Sequence, residues 1–255
     1  MPYLQVVTLV LNLFLVTAVA VSGNSLAEDR HTLFSEVLGK YVDDGVVDYS
    51  GFRKDSLFQQ YLDLLSSLNP DSLKSRDEQL ALWINAYNAY TIKLIIDRMP
   101  LTSIRDIGLG LPVISGPWSI EMANVGGTTY TLNEIEHDII RENFQDPRIH
   151  FALVCASKSC PKLRSEAYEG SRLNSQLETD TRRFINDPVR NTFDVSARTV
   201  YFSKIFDWYE SDFEKSSGSV LAFVATYLPG ETRKLVEDPD CKIEYLPYDW
   251  MLNGK

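Results

Sequence analysis

The chain has 255 residues, 44% of them hydrophobic and 11% aromatic, with a formal net charge of −10. This composition belongs to a globular protein with a sizeable core, and the acidity argues against a nucleic-acid or anionic-membrane surface. Three cysteines are too few for a disulfide scaffold, and the odd number leaves at least one thiol unpaired within the chain.

Met1 to Ala27 contains no charged residue and holds an apolar run from Val6 to Val21, the pattern of a secretory signal peptide. The small residues Ser25 and Ala27 place the cut after Ala27, so 28–255 is expected as a single exported domain, periplasmic or secreted. Met1 to Gln5 lacks a basic residue, which leaves a retained membrane anchor as the alternative. The apolar run is shorter than the ~20 residues a spanning helix needs, so no membrane span is expected after the leader is removed.

"HTLFSEVLGKYV" and "SLFQQYLDLLSSL" have the apolar spacing of helices, and "GVVDYSGF" between them reads as an extended stretch with a turn. Ser75 and Glu78 form a capping box that opens a long helix running to Pro100. That helix is apolar nearly all round, which predicts burial on most sides. Asn85 and Asn88 interrupt it on one face, and a buried amide without partners costs roughly 1–3 kcal/mol, so both must be bonded.

"WSIEMANVGGTTYTL" reads as a β-hairpin turned at Gly126 and Gly127. Thr131 and Glu134 make a second capping box, which starts a helix carrying Glu136 and His137. "PRIHFALVCA" has the composition of a strand ending near Cys155. "SRLNSQLETDTRRFIND" predicts an exposed amphipathic helix, "TFDVSARTVYF" a second hairpin, "KIFDWYESDFEK" and "SVLAFVATYL" two helices, and "CKIEYLPYDWML" a closing extended segment. Helices mixed with short strands give an α+β single domain, its helices packed on a small, mainly antiparallel sheet.

A thiol hydrolase needs a thiolate, a histidine to manage its proton and an orienting polar group. Cys155 and Cys160 are candidate nucleophiles, His137 and His150 candidate bases, and Glu136, Asn85 and Asn88 candidate orienting or oxyanion groups. On a strand, His150 and Cys155 would point to opposite faces, which favours His137 as the partner. Glu136 and His137 lie about 100° apart on a helix and should contact different groups. Cys160 precedes Pro161, a favoured first helical residue, so its sulfur is a candidate for a helix N-terminus.

The two cysteines also fit a disulfide closing a short loop, or buried inert thiols, and spacing alone leaves these readings open. Zinc has little support, because His150, Cys155 and Cys160 do not follow the usual ligand spacings. There is no P-loop, GxGxxG, HExxH or GxSxG, so no cofactor is expected. The aromatic runs "FDWYESDF" and "YLPYDW" read first as core and second as a stacking groove for sugar or peptide.

Taken in order, "VDYSGF", "LWINAYNAYTI", "LNEIEHDIIR", "HFALVCASKSCPKLR", "FSKIFDWYESDF" and "YLPYDWMLN" resemble the domain of unknown function 547 family. The family pattern is matched at Trp83, Asn85, Tyr87, Asn88, Glu136, His137, Arg141, His150, Cys155 and Pro161. The resemblance implies an exported bacterial protein whose site is assembled from the Asn-bearing helix, the Glu-His helix and the His-Cys segment. In the pattern the second cysteine alternates with serine, which singles out Cys155. At fold level, Cys and His converging on helices and strands are similar to papain- and transglutaminase-like thiol enzymes.

The expected function is an exported cysteine-dependent hydrolase or acyltransferase acting on a peptide or small amide: Cys155 attacks, His137 or His150 manages the proton, Glu136 orients, and Asn85 or Asn88 serves the oxyanion. Arg141 and Cys160 complete the expected binding set. The alternative is a non-catalytic periplasmic or envelope binding module in which the polar residues form a buried structural network.

Overall fold

A computed structural model describes residues 30–108 and 116–255. The expected signal peptide and its cut after Ala27 lie outside the described residues. Among the described residues, no helix is long and apolar enough to cross a membrane.

The long helix Arg76–Arg98 is the axis of the molecule. Its capping box forms as expected, with Ser75 accepting from the Glu78 amide and Glu78 accepting from the Ser75 amide. Sixteen of its residues are buried, so it runs through the core with no wide solvent face. Helices Thr32–Tyr41, Tyr49–Lys54 and Ser56–Ser67 pack around it.

Among the described residues the strands are short and form three small sheets. Val42–Asp43 pairs with Val46–Val47 across Asp44 and Gly45, both at positive φ, and Ala123–Val125 pairs with Thr128–Tyr130 across Gly126 and Gly127, at φ 61° and 81°. Two successive residues at positive φ are what a two-residue hairpin turn requires. The third sheet orders Thr192–Asp194, Thr199–Phe202 and Lys242–Tyr245, and its second pair is parallel. The molecule is an α+β domain, with small, mainly antiparallel sheets rather than one platform for the helices.

Two apolar clusters fill it. One surrounds the long helix; the other is built on Phe151, Phe184, Phe202, Phe206, Phe213 and Phe223. The chain passes from the second cluster to the first between Phe151 and Ala152. Cys155 follows three residues later, beside this junction.

Several local expectations change. The predicted strand 147–156 is instead a 3-10 helix, Pro147–Phe151, followed by an irregular run. Asp146 caps it by accepting from the Arg148 amide, and Pro147 occupies the first turn, a start signal that overrides the β-rich composition. The strand-alternation argument against His150 therefore does not apply. Residues 161–164 are not helical, so Cys160 does not sit at a helix N-terminus. "KIFDWYESDFEK" is two helices, Lys204–Trp208 and Glu210–Ser217, broken at Tyr209. A further helix, Gly230–Glu237, was not expected.

Candidate functional site

The second capping box also forms: the Glu134 amide donates to Thr131 Oγ1 and the Thr131 amide to Glu134 Oε2. The helix it opens, Glu134–Arg141, is π-helical, a winding found frequently at functional sites. Glu136 is buried and His137 half-buried. As expected, they contact different groups. Glu136 accepts from the Tyr209 hydroxyl and is also bonded by Tyr87. Burial first, and then the Glu136 charge, push both phenols well above their usual range, so they stay protonated donors. Glu136 therefore does not orient His137, and the orienting role expected of it would have to act through the tyrosines it bonds.

His137 is held instead by Arg141, whose Nη1 donates to Nδ1 at 2.9 Å. A guanidinium only donates, so the neutral His137 ring carries its hydrogen on Nε2. Arg141 also makes a two-pronged pair with Asp212, Nε to Oδ2 at 2.7 Å and Nη2 to Oδ1 at 2.9 Å.

The same carboxylate meets His150, whose Nε2 lies 2.8 Å from Asp212 Oδ2. The His150 ring stacks on Tyr209 with centroids 3.8 Å apart. The break between the two helices at Tyr209 lets one segment place the stacking ring and, on the next turn, the carboxylate. Desolvation lowers the His150 pKa, against the opposing pull of Asp212. Burial alone would raise the Asp212 carboxyl, but hydrogen bonds from His150 and Arg141 hold it well below the usual carboxylate range. Because Nε2 donates to a carboxylate, Nδ1 of neutral His150 carries the lone pair. That atom is buried and has no partner.

Cys155 is positioned through Asn88. The Asn88 side chain donates to Ala152 O at 2.9 Å and accepts from the Val154 amide at 2.9 Å, gripping the backbone just before the cysteine. Asn85 grips Tyr168 in the same way, 2.8 Å to its carbonyl and 2.9 Å from its amide. Both amides are bonded, as the cost of burial requires. Neither lines the cavity that holds Cys155, so the expected oxyanion role does not fit their placement.

After Cys155 the chain turns through Ala156 at φ 61°. Ser157 donates to the Tyr248 hydroxyl at 3.0 Å, and Tyr248 is 3.3 Å from Cys155 Sγ. Burial pushes the Tyr248 phenol up to about 12, which keeps it a donor toward the sulfur. Cys155 and Cys160 are joined in a disulfide, their Cα atoms 6.2 Å apart. The Cys155 amide is 2.9 Å from Cys160 Sγ. Cys241 is free.

One cavity of about 200 Å³ gathers these groups. Glu136, His137, His150, Cys155 and Cys160 line it, together with Tyr87, Asn133, Leu153, Ile205 and Tyr209. Trp118, Trp208, Tyr248 and Trp250 form its aromatic side. Of the expected site residues, Arg141 acts from behind, and Asn85 and Asn88 from below the backbone. Asp212, Tyr209 and Tyr248 were not singled out from the sequence, although all three fall in the quoted aromatic blocks. Among the described residues, no three His, Cys, Asp or Glu side chains gather as metal ligands.

The family model described as "Protein of unknown function, DUF547" matches residues 70–185. No curated protein and no solved structure matches the chain.

Proposed function

Because this chain carries a DUF547-family domain, whose description assigns no reaction, we propose its function from the site: an exported cysteine-dependent hydrolase or acyltransferase acting on an amide or peptide bond. The observation that carries the reading is that Cys155 lines one cavity with His150, a buried histidine bonded to Asp212 and left with an unpartnered Nδ1. Export rests on the uncharged apolar leader.

A disulfide sulfur is not a nucleophile, so the active form is the reduced one. A dithiol reductant converts the Cys155–Cys160 bond to two thiols and is itself oxidised to a disulfide. His150, kept neutral by burial, then takes the Cys155 proton at Nδ1 while Asp212 stabilises the imidazolium. The thiolate adds to the amide carbonyl, and the His137 Nε2–H donates to the oxyanion. The amine leaves with the proton from His150. Water or an acceptor amine then resolves the thioester.

The test is alkylation and turnover after reduction. The reduced protein should alkylate at Cys155 faster than at Cys241 and should cleave members of a peptide and amide panel. Equal alkylation of the two, with no turnover, would sink the proposal. The engagement of Asn85, Asn88 and Arg141 in structural bonds favours a second reading, a binding module with a polar core. In that case ligand binding survives Cys155→Ser, and no member of the panel is turned over.

A further inference from the structure

We propose that the aromatic side of this cavity is a saccharide subsite, and that the amide acted on is carried by a sugar ring, as in an N-acylated amino sugar. This deepens the hydrolase reading and rests on it only in calling the occupant a substrate.

Trp118, Trp208 and the pair Tyr248 and Trp250 come from three stretches of chain and meet ring to ring. The centroid distances are 5.8 Å for Trp118–Trp250, 5.6 Å for Trp208–Trp250, 4.8 Å for Trp208–Tyr248 and 4.5 Å for Tyr248–Trp250. A cluster of large rings is ordinarily well buried, yet Trp208 is 46% exposed. Rings in mutual contact make a continuous wall rather than a cage with space for a cation. Arg105 already lies over Trp250, at 5.2 Å from the ring centroid, which further disfavours a cationic occupant.

Asn133, Glu136 and His137 give the lining its polar part. A pyranose divides in the same way: its C–H faces lie flat on indole rings, and its hydroxyls need hydrogen-bonding groups at the edge. An apolar peptide side chain would exclude water from Asn133 and His137 without replacing those bonds, at a cost. The cavity, at about 200 Å³, suits a single ring with its acyl group rather than a long chain.

Calorimetric titration of the full chain in its disulfide form, which does not turn over, tests the subsite separately from catalysis. The probe is N-acetylglucosamine, with N-acetyltyrosinamide as the aromatic control. Saturable saccharide binding is expected, weakened about tenfold in Trp208→Ala and less in Trp208→Phe, with far-UV circular dichroism unchanged. Absence of saccharide binding, tighter binding of the aromatic amide, or wild-type affinity in Trp208→Ala overturns the proposal. Saccharide binding by a protein that, once reduced, shows no turnover counts against the hydrolase reading and leaves the subsite standing.

Discussion

His150 and Asp212 are separated by 62 residues in sequence and by 2.8 Å in the structure, Nε2 to Oδ2. The carboxylate fixes the histidine tautomer, and the tautomer decides which nitrogen can act as a base. Asp212→Asn keeps the shape of the side chain but supplies a neutral partner that no longer imposes this tautomer. Turnover by the reduced protein should drop about 100-fold or more, with the thermal midpoint changed far less than in Asp212→Ala, which leaves the Arg141 guanidinium without its carboxylate. Steady-state kinetics alongside melting curves separate the two effects.

The disulfide makes a prediction about thiol counts. Without reductant, one thiol, Cys241, should react with a chromogenic disulfide reagent; after reduction all three should. Cys160→Ser should free Cys155 and give turnover without any reductant. A Cys160→Ser protein that still needs reduction would contradict this role for the bond.

The two asparagines should differ in what they disturb. Each holds a backbone amide and a carbonyl, so Asn85→Ala and Asn88→Ala should each destabilise the fold by about 2–4 kcal/mol in urea unfolding. Asn88 grips Ala152 and Val154 beside Cys155, whereas Asn85 grips Tyr168. At temperatures where both variants remain folded, Asn88→Ala should lose turnover and Asn85→Ala should retain most of it.

Acidification should weaken the fold through buried histidines. His31, bonded to Tyr61 at 2.8 Å, has its pKa lowered from 6.5 to about 4, first by burial and then by Arg30. The unfolded chain therefore binds the proton first as pH falls below 6.5, and stability declines until about pH 4, where the folded form also protonates. For this one group the loss is on the order of 3 kcal/mol. His150 is shifted in the same direction and adds to the decline. Urea unfolding at pH 7, 5.5 and 4 should show the fall, and His31→Gln should make it shallower.

What was legible in the sequence was local. Ser75 with Glu78, Thr131 with Glu134, and the paired glycines 126 and 127 each announce a structure within four residues of themselves, and each forms. The demand that Asn85 and Asn88 be bonded was also readable, because burial followed from the apolar pattern around them. Their partners were not, since Tyr168 and Ala152 lie 83 and 64 residues away. The strand assigned to 147–156 failed because Asp146-Pro147 is a helix start that β-branched and aromatic composition obscured. Asp212 carried no local mark: it is one of 35 acidic residues, and only the folded chain brings it to a histidine.

The family match ends at residue 185, but the cavity does not. That stretch supplies Cys155, Cys160, His137, His150 and Glu136, while Tyr209 and Asp212 and three of the four rings of the aromatic side come from beyond it. A protein trimmed to the matched stretch would keep Cys155 and His150 yet lack Asp212, which fixes the His150 tautomer, and most of the aromatic wall beside them. The folded unit that builds this cavity is therefore longer than the stretch by which the family is recognised.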